Sequence, residues 1–150
     1  MTIANTQAVD DLNAGILAAC NRMDGELIKW GRIILAGGNG PSLKYGESDQ
    51  EAEHFGYSAK DYDAAYMLHL AVGRLPEARQ RFVLATFYRE RCAADWEKMS
   101  QQRRDQIATD LALVVNGKIR GVERTIAAAD FDSIRLRAIR VLVNNAALLP

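Results

Sequence analysis

Apolar residues recur at three- and four-residue spacing along nearly the whole chain, and no stretch alternates apolar with polar over strand length. That periodicity places side chains along one stripe of a helix and is incompatible with a half-buried strand. The sequence therefore predicts an all-α protein. A first helix is expected from a cap at Thr6, with Val9, Leu12, Ile16 and Cys20 on one stripe. Asp24 is placed to cap a second, "GELIKWGRIILA", whose Leu27, Trp30 and Ile34 point inward. Further helices are expected in "AKDYDAAYMLHLAVGRL", with Ala65, Leu68, Val72 and Leu75 as its stripe, and in "EARQRFVLATFYRER", which starts at Pro76. "AADWEKMSQQRRDQIATDLALV" reads as one helix or as two broken near Ser100. "FDSIRLRAIRVLVNNAALL" closes the chain with one stripe of Phe131, Ile134, Ala138 and Leu142 and another of Leu136, Ile139 and Val143. So broad an apolar surface belongs to a buried helix or to one that meets a partner.

With 150 residues, nearly half of them hydrophobic, the chain has the length and apolar content of one domain. The expected organisation is a single compact helical domain over 1–150. A core over 61–129 contains a helix-turn-helix, and 130–150 forms a C-terminal helix. Between Gly37 and about Tyr57 the pattern has no period and is rich in Gly, Ser, Asn and acid, which predicts a long loop. No apolar run is long enough for a membrane span, and the N-terminus lacks a signal peptide's basic flank and apolar block. A cytoplasmic protein with no membrane contact is expected, with Cys20 and Cys92 as buried thiols.

Catalytic and cofactor chemistry find little purchase. The loop after Trp30, "GGNGPSLKYG", lacks the Gly-Lys-Ser/Thr ending of a phosphate cradle and follows a helix rather than a strand. His54 and His69 stand apart from any nucleophile set, and His69, within an apolar helix, reads as a satisfied core or boundary residue. Asp61 and Asp63, two apart, point to different helix faces, while Asp10 and Asp11 read as a solvated helix start. Two cysteines and two distant histidines make no metal-ligand spacing. No catalytic residue, cofactor or metal is expected.

Charge is more informative. The net charge is zero, but five Lys/Arg stand against ten Asp/Glu up to His69, and fourteen against nine from Leu70 onward. A basic half is a hint of an anionic partner, although ordinary surface variation gives the same imbalance. Within that half, "DQIATDLALVVNGKIRGVERTIAAA" has the rhythm of a divergent helix-turn-helix. Ile107, Ala108 and Leu111 face inward on the first helix, and "ALVVNG" holds the turn. Asn116 caps a second helix whose buried stripe is Ile119, Val122 and Ile126. The DNA-facing residues are then Asn116, Gly117, Lys118, Arg120 and Arg124, with Gly121 allowing close approach. Two arginines one turn apart suit guanine edges or phosphates, and suit a plain solvated face equally well.

"LIKWGRIILAGGNGPSLKYG" and "DYDAAYMLHLAVGRLPEARQRFVLATFYRE" together resemble phage Q-type late-gene antiterminators, in the lambdoid branch unlike lambda's own Q. The resemblance covers 27–45 and 61–90, and more loosely 104–129, where it extends to the helix-turn-helix of bacterial sigma factors. The link through "RCAADWEKMSQQRRDQIATDLALVV" is longer than in that family. The resemblance implies a factor with no catalytic residues that binds double-stranded DNA near a late promoter. It further implies loading onto bacterial RNA polymerase paused with its sigma factor, and passage through terminators. Trp30, Gly31 and Arg32 match the family's block. Trp30 is expected as a core anchor, and the loop from Gly37 to Tyr57 as a contact with polymerase or RNA. Two other readings stay open. One is a helix-turn-helix repressor or activator that self-associates through its last helix. The other is a phage-encoded inhibitor that uses that helix on a host protein.

Overall fold

In the computed structural model, residues 3–36 and 57–147 are described, with the side chains of 3–12, 36, 91, 92 and 147 left aside. The loop expected at 37–57 therefore lies, up to residue 56, outside the described residues, as do the side chains of Val9, Asp10, Asp11, Leu12 and Cys92. Helix α1 spans Ile3–Trp30 and continues as a π-helical turn over Gly31–Ala36. Helix α2 spans Ala59–Gly73 and α3 spans Ala78–Arg89. A 3-10 segment at Arg91–Lys98 leads into α4, Gln101–Ile119. A short 3-10 turn at Ala128–Asp130 precedes α5, Phe131–Ala147. No strand occurs among the described residues, as the periodicity requires.

Helix α3 lies at the centre, packed on α4, α5 and the π turn. Its Val83, Leu84 and Phe87 are fully buried together with Leu27, Trp30, Leu75, Val115, Ile119, Phe131 and Ile139 in one core. The expected stripes of α2 and α5 are the ones that turn inward: Ala65, Val72 and Leu75 are buried, as are Phe131, Ile134, Ala138 and Leu142. Of α5's second stripe, Ile139 is buried and Val143 half-buried, so only Leu136, 51% exposed, is left outside. Most of the broad apolar surface is thus covered by the chain itself.

Helix boundaries follow local capping chemistry in two places. Ser58 and Asp61 form a reciprocal capping box at the start of α2, with Asp61 N–H donating to Ser58 Oγ at 3.3 Å and Ser58 N–H donating to Asp61 Oδ2 at 2.9 Å. The bond from Ser58 N–H, together with the Lys29 ammonium at 3.6 Å, holds the Asp61 carboxyl below its ordinary range. Ser100 caps α4 by accepting from Arg103 N–H at 3.2 Å, so the segment around Trp96 breaks in two where the sequence placed the break.

The N-terminal region departs from expectation. One helix runs through both Thr6 and Asp24 where two capped helices were anticipated. The only breaker between the two segments is Gly25, whose cost of about 1 kcal/mol in a helix interior is outweighed by burying Leu27 and Trp30. Asp24 instead takes a tertiary role. It accepts from the Tyr88 hydroxyl, and from Arg135 Nη1 at 3.3 Å. Arg135 is 4% exposed and also donates from Nε to Asp132 Oδ1 at 2.8 Å and from Nη1 to Tyr88 Oη at 3.0 Å. Its guanidinium lies 4.5 Å from the centroid of the Phe87 ring. This cluster ties α1, α3 and α5 together.

Gly31 lies against the same hub. A β-carbon there would collide with the Tyr88 carbonyl oxygen and lie 2.9 Å from its carbonyl carbon. Only glycine admits this approach of the π turn to α3. Trp30 next to it is buried, and its Nε1–H donates to His69 Nδ1 at 3.1 Å, while Arg32 Nη1 donates to the Tyr57 hydroxyl at 3.2 Å. The core-anchor role of Trp30 and the satisfied state of His69 both hold. Cys20 is a half-buried thiol at the core's edge.

Three outcomes are expected in denaturation experiments. Gly31→Ala forces α1 and α3 apart and lowers unfolding free energy by about 3 kcal/mol, the upper end for overpacking, read from urea midpoints. Arg135→Ala strands the Tyr88 and Asp24 oxygens and costs about 3 kcal/mol, whereas Arg135→Met costs less. The third concerns pH. Burial, opposed by the Arg135 charge and reinforced by Asp24, pushes the Tyr88 phenol well above its ordinary value. The folded state therefore holds that proton more tightly than the unfolded state. Its contribution is complete below about pH 10, the unfolded tyrosine value, and declines as pH climbs above it. Tyr88→Phe is expected to flatten the loss of stability between about pH 10 and 12, measured by thermal melts across that range.

Candidate nucleic-acid interface

The residues marked for DNA contact lie at the end of α4 and in the loop that follows, and not on a second helix. Helix α4 runs unbroken through "ALVVNG" to Ile119, and 120–127 form an irregular loop. The reason is packing. Ala108, Leu111, Ala112, Val115 and Ile119 continue one buried stripe against α3, so an apolar turn at 112–117 has no cause to form. The helix stops where Gly121 takes a φ of +83°, a conformation that side-chain-bearing residues adopt at a cost. Gly121 is therefore a turn residue rather than a helical one. Val122, expected inside, is 71% exposed, while Ile119 and Ile126 on either side of it are buried.

Three sets of bonds fasten this loop. Val122 and Glu123 N–H both donate to the Ile119 carbonyl, at 2.9 and 3.2 Å, closing the turn. Asn116 Nδ2 donates to the Ile126 carbonyl at 2.9 Å and its Oδ1 accepts from Ile126 N–H at 2.8 Å, so the amide holds the returning strand of the loop and caps no helix. Glu123 accepts from the backbone N–H of Ala78 and, at 2.9 Å, of Arg79, and it pairs with Arg79 Nε at 3.5 Å. It thus satisfies two open donors at the N-terminus of α3, a position where carboxylates are favoured. The adjacent Glu77 makes no side-chain cap there.

Of the five marked residues, Asn116 is spent on this architecture. Gly117 is exposed with open space around its α-carbon. Lys118 is exposed and its ammonium stands 5.8 Å from the centroid of the Phe82 ring on α3. Arg120 and Arg124 are exposed on the loop, flanking Glu123, and neither side chain makes an ion pair or hydrogen bond among the described residues. The result is a corner of Lys118, Arg120 and Arg124 beside Arg79. Two of its arginines are held outward on a backbone fastened at both ends. Glu123 and Arg79 carry this arrangement and were not singled out by the sequence, because 44 residues separate them and no local pattern links the two.

No family model, curated protein or solved structure matches this chain.

Replacing Glu123 by alanine is expected to cost about 1–2 kcal/mol, as for a lost cap with buried donors left behind. Amide exchange at Ala78, Arg79 and across 120–127 should accelerate while the helical circular dichroism is retained. Unchanged protection would show that the loop is held without Glu123.

Proposed function

We propose that this chain is a phage transcription antitermination factor that binds duplex DNA near a late promoter, engages RNA polymerase and promotes read-through of terminators. The observation that carries the DNA-binding half is the outward presentation of Arg120 and Arg124 on a fastened loop. Arginines that make no ion pair or hydrogen bond among the described residues can bond phosphate oxygens without first giving up an internal partner. The remainder rests on the resemblance of 27–45 and 61–90 to Q-type antiterminators. The "WG" pair of that block is the point where α1 meets α3, which makes it an architectural signature of the chain.

Helix α2, at the junction of the acid-rich and basic halves, supplies a surface of a different kind. Tyr66 and Met67 on α2 are 58% and 63% exposed, and Leu70, one turn on, completes an outward apolar patch beside Asp63. Patches of this sort favour protein rather than nucleic acid. In this reading they face polymerase, while the basic half faces DNA.

The test is transcription in vitro with purified bacterial RNA polymerase and its housekeeping sigma factor. The template carries the DNA flanking the gene, with an intrinsic terminator downstream. Read-through is expected to rise with added protein on that template and not on one lacking the flanking DNA. The double variant Arg120→Ala/Arg124→Ala should bind DNA roughly tenfold more weakly, with a shallower salt dependence reflecting about two lost phosphate contacts. Read-through that ignores the protein would overturn the antitermination assignment.

A further inference from the structure

We propose that the outward face of α5 enters the major groove of duplex DNA and reads its sequence, while Arg120 and Arg124 take flanking phosphates. The proposal rests on the DNA-binding reading above and adds a second surface to it. Helix α5 has 17 residues. Phe131, Ile134, Arg135, Ala138, Ile139 and Leu142 are buried, which fixes the opposite side outward. That side carries Ser133, Arg137, Arg140 and Asn144, all exposed, at spacings of four, three and four, so they form a single stripe along the helix. Leu136 flanks the stripe at 51% exposure.

The chemistry of this stripe suits base edges. Arginine bonds guanine O6 and N7 in pairs, asparagine bonds adenine N6 and N7, serine bonds several bases, and an apolar side chain meets the thymine methyl. The electrostatics agree. From Ser133 to the last residue the sequence holds three arginines and no Asp or Glu. One of the three, Arg135, is buried and paired, whereas Arg137 and Arg140 make no ion pair among the described residues. Complementarity with a polyanion follows. A second copy of the chain is a poorer occupant, because a two-fold axis across the stripe would set these arginines against their own copies.

A reading helix must also hold its rotation about its own axis. Arg135 does this from the inner side, through its bonds to Tyr88 on α3 and Asp24 on α1 at 3.0 and 3.3 Å, while Asp132 of the same helix orients the guanidinium from 2.8 Å. Arg137, two residues on, is thereby directed away from the core. Reading surfaces built on packed helices keep their geometry better than those on free loops.

The experiment is selection from a duplex DNA pool with a randomised core, using the full chain. Four proteins are compared: wild type, Arg137→Ala/Arg140→Ala, Arg137→Lys/Arg140→Lys and Arg120→Ala/Arg124→Ala. The substituted side chains are exposed, and thermal melts confirm that each variant folds. Wild type is expected to enrich one motif. The loop variant should enrich the same motif with lower affinity. The α5 alanine variant should lose the motif, its preference over a scrambled duplex falling about a hundredfold, as for the loss of two bidentate pairs. The lysine variant keeps the charge but not the two-pronged geometry. It should retain salt-sensitive binding without the motif. An α5 alanine variant that enriches the wild-type motif would overturn the assignment of α5 and leave DNA binding standing. Wild-type binding that is salt-sensitive but enriches nothing would do the same. A wild-type protein that retains no duplex even at low salt would overturn both.

Discussion

Burying the guanidinium of Arg135 is the constraint around which the described fold is arranged. A charge taken out of water must be paired and hydrogen-bonded or the site is strongly unfavourable. Two of the partners come from other helices, Asp24 from α1 and Tyr88 from α3, while Asp132 shares α5 with Arg135. Asp24 and Tyr88 therefore fix α1 and α3 relative to α5, and Asp132 orients the guanidinium between them. Tyr88 has the most to do. Its hydroxyl donates to Asp24 while accepting from Arg135, its ring packs edge-on to Phe87, and its carbonyl is where Gly31 makes its close approach. Apolar burial accounts for the favourable free energy of the core, but apolar contacts alone leave helices free to slide and rotate. The polar cluster supplies direction.

The same hub explains which parts of the fold were legible in the sequence. Helices α2, α3 and α5 and the break at Ser100 are visible because their information is local: a capping residue, a stripe at three- and four-residue spacing, a proline or serine at the boundary. Asp24 was misread for the complementary reason. An aspartate before an apolar run has the chemistry of a cap, and nothing near it in sequence reveals that its real partners are Tyr88 and Arg135, 64 and 111 residues away. The glycine of the "WG" pair was legible as part of the block that resembles the antiterminators but not as a packing requirement, which appears only once α3 is in place behind it.

The end of α4 is the instructive failure. The reading of a turn within "ALVVNG" took Asn116 as the N-cap of a second helix that would carry Gly117 on its DNA-facing side. Ala112, Val115 and Ile119 continue the buried stripe past them, and tertiary burial overrode the local preference. The helix ended at the next glycine instead, Gly121, where a positive φ is required. Asn116 keeps its hydrogen-bonding capacity but spends it ten residues downstream on Ile126. So the marked residues Lys118, Arg120 and Arg124 remain together as a group, now on a loop rather than a helix. Spacing arguments built on 3.6 residues per turn no longer apply to the two arginines.

That change in local structure alters what the corner is suited to do. A fastened loop with two outward arginines matches phosphates, which accept from many directions and demand little angular accuracy. Base edges demand more: two parallel bonds from a planar group held at a defined rotation. In the proposed reading that second requirement falls to α5, whose inner side Arg135 ties to α3 and α1 and whose outer stripe holds Arg137 and Arg140 three residues apart. The proposed division of labour between loop and helix rests on rigidity. The loop is held at Asn116 and Glu123, close to its arginines, whereas α5 is held along most of its length by the core. A duplex would then meet positioning contacts at one surface and orientation-sensitive contacts at the other, with the buried cluster at Tyr88 relating the axis of α5 to the helix, α3, on whose N-terminus the loop is clamped.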